Sequence, residues 1–420
     1  MTSIDVINVD IDLAGATHLV GRLRRHSGRR GEIATFEYTD EWLGSSARFA
    51  IDPALPLGRG TFAPTRDRAV AAAIGDTAPD SWGRRLMQRA ERLAASEEGR
   101  RVRSLGMVDF LLGVSDESRL GALRFRLPES AAYQASRDIG VPPLVELGQL
   151  LDSTQRILRD DATAADLSLM LAPGSSLGGA RPKASVRDLQ GRLAIAKFPK
   201  DDDEYSLETW EAIAIALASE AGIATPETSL LRVDGRAVLL SRRFDRVGEH
   251  RLPFVSAMTM TDSVDGETGS YPDIVDALAV HGERTGHDAQ ALFRRIAFNI
   301  LISNLDDHLR NHGALHIAGY GWRLAPAYDL NPVPRDLKTP ILSTTIDGDD
   351  ATCSVALLRD SATFYGLSDT EARRIIADVA HVTQGWRACA KRFGQPAAAI
   401  DRMSSAFEHE VLDDALAMEG

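Results

Sequence analysis

Ile7, Val9, Ile11 and Leu13 alternate with Asn8, Asp10 and Asp12, the period-two pattern of a strand with one buried face. HLVGRL (18–23) and EIATFEYTDEWL (32–43) extend the β character, and SGRRGE between them has the composition of a hairpin loop. The Ala- and Arg-rich stretch from Asp67 to Arg103 predicts mostly helix, and GALRFRL (121–127) returns to strand before Pro128 ends it. A helical pattern from Pro142 to Leu171 runs into the Gly/Ser-rich turn PGSSLGGARPK (173–183). Two strand-like runs follow, KASV and RLAIAKF, joined by RDLQG. A helix is predicted from Leu207 to Ala221, with Trp210, Ile213, Ala214, Leu217 and Ala221 on one face and Gly222 as its stop. TSLLRVDGRAVLLSRRF reads as a hairpin turning at Asp234-Gly235. Beyond Pro253 the pattern is mainly helical: Phe293, Ile296, Ala297, Ile300 and Leu301 recur at the spacing of an amphipathic helix. LHIAGYGWRLA (315–325) predicts a short hairpin, Ser368 with Glu371 a capping box, and the last twenty residues further helix. A β-rich half is thus followed by a helix-rich half, with a seam near 246–256.

Composition narrows the class. The 420 residues carry a net charge of −12, with 44% hydrophobic and 26% charged residues, the balance of a globular protein of about two or three domains. The acidic total argues against a chain that coats nucleic acid or anionic membrane. Two cysteines without a C-x-x-C argue against a disulfide scaffold or a cysteine zinc site. The N-terminus lacks the layout of a signal peptide and no window has the length of a membrane span, so a cytoplasmic location is expected. Only five of the 48 basic residues are lysine, and Lys183, Lys197 and Lys200 fall within one short stretch. In a chain that otherwise uses arginine, such a cluster marks either places where a compact ammonium is hard to replace or no more than chance and a surface loop.

NLDDHLRNHGAL (304–315) followed by APAYDL (325–330) carries the chemistry. Asp306 and Asn311 are five apart, and Asp329 lies beyond a predicted hairpin. Phosphoryl transfer uses such a set: one carboxylate orients or accepts the proton of the attacking hydroxyl, while an amide oxygen and a second carboxylate hold Mg²⁺. GSSLGGARPK offers a loop in which Gly174, Gly178 and Gly179 permit close backbone approach to phosphate. It is not a Walker A motif, since Ala180 stands where that motif has Lys. Lys197, in a strand-like run, is either a phosphate-contacting cation or a surface lysine at a strand end; Glu211 on the next helix is either its partner or a solvated glutamate. A rival reading takes His308 and His312 with Asp306, Asp307 or Asp329 as ligands of zinc or iron, although H-E-x-x-H is missing. No G-x-S-x-G signals a serine hydrolase.

With these residues in hand, the chain resembles the HipA family, the serine/threonine protein kinase toxins of bacterial type II toxin–antitoxin pairs. THLVGRL to FEYTDEWL (17–43), IDPALPL (51–57), GDTAPDSWGRR (75–85) and LGALRF (120–125) are similar to the family's N-terminal signatures. SLGGARPK is similar to its phosphate loop, AIAKF to the strand carrying its ATP-contacting lysine, and SRRFDR to the segment linking the lobes. LDDHLRN and YDL resemble its catalytic and Mg²⁺ motifs. The resemblance implies an α/β, two-lobed protein-kinase-like fold: an N-terminal subdomain over 1–128, the rest of a β-rich N-lobe over 129–250 and a mainly helical C-lobe over 251–420. It implies Asp306 as catalytic base and Asn311 and Asp329 as Mg²⁺ ligands. ATP would be bound by Ser176, Leu177, Gly178, Gly179, Ala180, Lys183, Lys197, Arg242, Phe244, His308, Asn311 and Asp329. Autophosphorylation is expected at Ser176, or alternatively Ser175, where the added charge opposes the phosphates of ATP. The implied partners are a small helix-turn-helix, HipB-like antitoxin that supplies the DNA contact and a protein substrate of the translation machinery, such as an aminoacyl-tRNA synthetase.

The chain departs from the family at Arg242, where an acidic residue is common, at Pro182 beside Lys183, and in FVSAMTMTD (254–262), which lacks the usual acidic-Gln segment. Two other functions use the same residues: a small-molecule phosphotransferase, and a catalytically silent module that works only through its antitoxin.

Overall fold

The alternation at 7–13 does form a strand, β1 (Val6–Leu13), but both of its faces are covered. Ile7, Val9 and Ile11 enter an apolar core with Val20, Leu23, Phe36 and Phe125, while Asp10 on the other face is only 1% exposed. Its carboxylate survives burial because Arg126 on the neighbouring strand donates from Nε at 2.6 Å. In a computed structural model, residues 6–28, 31–135, 140–171, 179–318 and 320–418 are described. They form two compact units, one of residues 1–202 with 231–255 and the other of residues 203–230 with 256–420.

The first unit holds two four-stranded sheets. One runs β3 (Gly31–Tyr38), β2 (Ala16–Gly28), β1 and β4 (Leu123–Arg126), all antiparallel. The β character expected through Leu43 stops earlier, because Thr39 accepts from the Trp42 amide at 3.1 Å and caps a helical turn, Asp40–Gly44. Helix is likewise confined within 67–103 to Ala72–Gly75 and Ser81–Glu97, with Pro79 between them. The second sheet runs β5 (Lys183–Arg187), β6 (Leu193–Lys197), β8 (Arg236–Arg242) and β7 (Thr228–Val233). Asp234 and Gly235 both have positive φ, as a tight hairpin turn between twisted strands demands. Helices Leu147–Leu158 and Ala164–Leu171 bury Leu150, Leu151, Leu167 and Met170 with Val186, Ala196 and Val238 of this sheet. Trp82 and Leu86 of helix Ser81–Glu97 join the same cluster.

SRRFDR (241–246) is pinned by buried charge. Asp245 pairs with Arg243 at 2.5 Å and Arg246 at 2.6 Å and accepts from the Gly121 amide at 2.7 Å. Arg243 and Arg246 also donate to the carbonyls of Ser118 and Arg119, at 2.9 and 2.7 Å. Nearby Arg119 donates to the carbonyls of Thr77 and Val114, and burial pushes its pKa down to about 9.

The second unit is mainly helical. Helix Leu207–Glu220, expected with the residues before 250, belongs here: Trp210 packs on Trp386 and Phe407, ring centroids 6.1 and 6.2 Å away. That helix is buried nearly all round, and Glu211 on it is 4% exposed rather than solvated. Ser368 and Glu371 form the expected capping box of helix Asp369–Gln384. The C-terminal stretch is broken into the short helices Ala397–Arg402, Ser404–Phe407 and Glu410–Leu416. Among the described residues no helix is long and apolar enough to cross a membrane.

Candidate active site

Helix Thr285–Leu301 fixes the second unit's site, because Phe293, Ile296, Ala297, Ile300 and Leu301 are wholly buried and its end is rigidly placed. Ser303 takes a left-handed conformation, φ 53°, and turns the chain into the loop 304–312. Asn299, in the last turn of the helix, organises that loop. Its Nδ2 donates to Asp307 Oδ2 at 2.6 Å and its Oδ1 accepts from Asn304 Nδ2 at 3.1 Å. Asn304 Oδ1 in turn accepts from the Asn331 amide at 3.1 Å, and Asn331 Nδ2 donates to Asp329 Oδ1 at 3.1 Å. A relay of three asparagines therefore connects the Asp306–Asp307 loop with Asp329.

The two adjacent aspartates have opposite environments. Asp307 is buried, and its Oδ2 accepts from Tyr271 Oη at 2.5 Å and lies 2.9 Å from His312 Nε2. Burial alone would raise its pKa, but His312, Tyr271 and Arg295 outweigh this and hold it below the ordinary carboxylate value. Asp306 is exposed, and what anchors it is its carbonyl, which accepts from Asn311 Nδ2 at 2.9 Å and the His308 amide at 3.0 Å. A side chain open to solvent on a doubly held backbone suits a group that meets substrate.

Asn311 is buried, and with Nδ2 spent on Asp306 its Oδ1 has no hydrogen-bond partner. An orphaned amide oxygen is costly unless a ligand uses it. Asp329 holds a left-handed φ of 60°, a strained conformation for a residue with a side chain and one that concentrates at functional sites. An amide oxygen and a carboxylate are hard donors, so the pair fits Mg²⁺, which takes few protein ligands and completes its shell with phosphate oxygens and water. The zinc or iron reading fares differently. Among the described residues no three His, Cys, Asp or Glu side chains gather, and His312 faces Asp307 on one side and Arg295 on the other. His312 orients the loop through Asp307, and the His308 carbonyl accepts from the Asn311 amide at 2.8 Å.

Asp307→Asn keeps the shape of this network and removes its charge. The expected cost is about 1.5–3 kcal/mol, read as a fall in the urea midpoint at neutral pH. Because the folded carboxyl is more acidic than the unfolded one, the contribution is complete above the unfolded pKa. It is lost as pH falls through the folded value, so wild type and variant should converge in acid.

The lysines that the sequence singles out lie in the first unit. Lys183 and Lys197 stand opposite each other in the antiparallel β5–β6 ladder, so both side chains leave the same face. Lys183 is only 4% exposed and pairs with Asp80 at 2.9 Å; Lys197, at the end of its strand, is half-buried. Arg242 pairs with Ala194 at the end of β8, and the ring of Phe244 lies 6.0 Å from that of Phe254. Gly179 has φ 103°, and a side chain there would meet Lys183 Nζ. Ser175, Ser176, Leu177 and Gly178 lie outside the described residues. Sequence reasoning missed Asp80, Tyr271 and the three asparagines. Asn299 alone had a signal, a polar residue among the apolar positions of a buried helix.

Residues 11–109 match the family model of the HipA N-terminal domain and residues 175–386 that of the HipA-like C-terminal domain. A Haemophilus influenzae relative named "Putative kinase" is 27% identical over 199 residues, 40% of this chain and 57% of that protein's length. "Putative kinase Y4mE" of Sinorhizobium fredii is 24% identical over 332 residues, 72% of each chain. Among solved structures, a chain of the Shewanella oneidensis MR-1 complex of HipA, HipB and operator DNA superposes with a TM-score of 0.64. It is 17% identical and the match covers 98% of this chain and 96% of that one, which shows a shared fold. The α/β, kinase-like fold expected from the sequence is the one observed.

Proposed function

The chain belongs to the HipA family, and from that premise we propose that it is the toxin of a type II toxin–antitoxin pair, acting as an ATP- and Mg²⁺-dependent serine/threonine protein kinase in the cytoplasm. The observation that carries the reading is the division of labour at 306–311: an exposed Asp306 carboxylate held by its carbonyl, beside a buried Asn311 oxygen without a partner. Asp306 takes the proton of the substrate hydroxyl as that oxygen bonds to the γ-phosphorus and ADP leaves. Asn311 and Asp329 would hold Mg²⁺, which neutralises phosphate charge. Lys197 contacts the phosphates from the β-sheet, and the glycine-rich loop 173–183 lends them backbone N–H groups. The protein substrate belongs to the translation machinery, and an aminoacyl-tRNA synthetase is the leading candidate. That the Shewanella neighbour was solved with HipB and operator DNA supports a HipB-like antitoxin as partner.

Incubation of the purified chain with γ-labelled ATP and Mg²⁺ tests the reading. Label is expected on Ser176 or Ser175, and Lys197→Met should abolish it along with Mg·ATP binding. Label that appears only on small-molecule acceptors would overturn the protein kinase in favour of a small-molecule phosphotransferase.

A further inference from the structure

The motif GDTAPDSWGRR (75–85) is not used by the chemistry above, yet three of its residues, Asp80, Ser81 and Arg85, converge on the end of the glycine-rich loop. Ser81 Oγ donates to the Gly179 carbonyl at 3.0 Å and Arg85 Nη2 to the Ala180 carbonyl at 2.6 Å. Asp80 reaches Lys183 at 2.9 Å. We propose that the N-terminal end of helix Ser81–Glu97, with its cap, is a clasp that sets the position of the loop's C-terminal stem, making Asp80, Ser81 and Arg85 positioning residues for nucleotide binding.

The spacing favours a built device over chance contact. Ser81 and Arg85 are four apart and share one helix face, and they take the carbonyls of two successive residues. Across a trans peptide the N–H points opposite to the C=O it follows. With the carbonyls of Gly179 and Ala180 drawn to the helix, the N–H groups of Ala180 and Arg181 are directed away from it. That is the orientation a phosphate-cradling loop needs.

Asp80 performs two tasks at once. Its Oδ1 accepts from the Gly83 amide at 2.9 Å and caps the helix, leaving Oδ2 to Lys183. A lysine as buried as Lys183 is rare without such a partner. The clasp also has a firm backing, since Trp82 and Leu86 pack in one cluster with Ala184 and Val186 of the strand that Lys183 begins. The contacts run from the segment matching the HipA N-terminal domain to the one matching the C-terminal domain. The N-terminal domain would thus govern how well the kinase part holds nucleotide.

The inference rests on the kinase reading, and the experiment separates the two. Mg²⁺-dependent binding of a fluorescent ATP analogue is measured for wild type, Arg85→Ala, Arg85→Lys, Ser81→Ala and Asp80→Asn, the last keeping the helix cap because asparagine also caps. Arg85→Ala should weaken binding and raise KM for ATP roughly tenfold, with a much smaller loss in kcat. Arg85→Lys should recover most of it, having a donor of its own. Amide exchange at 179–183 should accelerate in Arg85→Ala and Asp80→Asn while residues 86–97 keep their protection. Arg85→Ala and Ser81→Ala that bind nucleotide like wild type, with unchanged exchange at 179–183, overturn the clasp alone. A wild-type chain that binds no nucleotide overturns the kinase reading and the clasp with it.

Discussion

Asp306→Asn is expected to lower phosphoryl transfer by about 10²–10⁴-fold while leaving the fold and nucleotide affinity nearly unchanged. The substitution keeps size and backbone, and what anchors residue 306 is its carbonyl, held by Asn311 and by the His308 amide. An exposed position away from the core tolerates the change within about 0.5 kcal/mol. The neighbouring Asp307→Asn should do the reverse, losing stability through the Tyr271, Asn299 and His312 network with a smaller effect on the chemical step. Two adjacent aspartates with opposite phenotypes form a sharper test than either alone. Expressed without an antitoxin, the Asp306→Asn chain should cease to inhibit growth. Undiminished growth inhibition would falsify the catalytic assignment and favour a module that acts by binding alone.

Elements with a local signature were legible. Asp234-Gly235 makes its turn because both residues reach positive φ, and Ser368 with Glu371 caps a helix through bonds confined to four residues. The segments carrying Lys197, Asp306, Asn311 and Asp329 also came from short motifs. Periodicity, however, tells which residues turn inward, and not what covers the opposite face. Asp10 alternates as a solvent-facing residue should, and is buried because Arg126, 116 residues away, neutralises it. Helix Leu207–Glu220 reads as amphipathic, but its unit is decided by Trp386 and Phe407 far down the chain. The Asn331–Asn304 bond and the Asp80–Lys183 pair are of the same kind. Each is a polar contact between distant segments, and a single polar residue carries no mark of the partner it will find.

The largest stability loss is expected from Asp245→Ala, about 3–5 kcal/mol. The carboxylate is sealed among Arg243, Arg246 and the Gly121 amide. Burial opposes its charge, yet the two guanidiniums hold its pKa well below the usual carboxylate range. Burial likewise pushes Arg246 down to about 9, so this arginine stays charged inside the protein largely through Asp245. Removing the carboxylate takes from two buried arginines the anion that they share, and a buried charge that has lost its partner is costlier than the lost pair itself. The urea midpoint should fall, and amide exchange at 118–121 should accelerate first, because the Gly121 amide loses its acceptor. Asp245→Asn should land between wild type and alanine, since its amide oxygen can still accept from one arginine. A midpoint and exchange pattern unchanged in Asp245→Ala would mean that the carbonyls of Ser118 and Arg119 suffice to hold SRRFDR in place. In that event the carboxylate would be dispensable for anchoring the strand β8, whose Leu239 stands opposite Lys197.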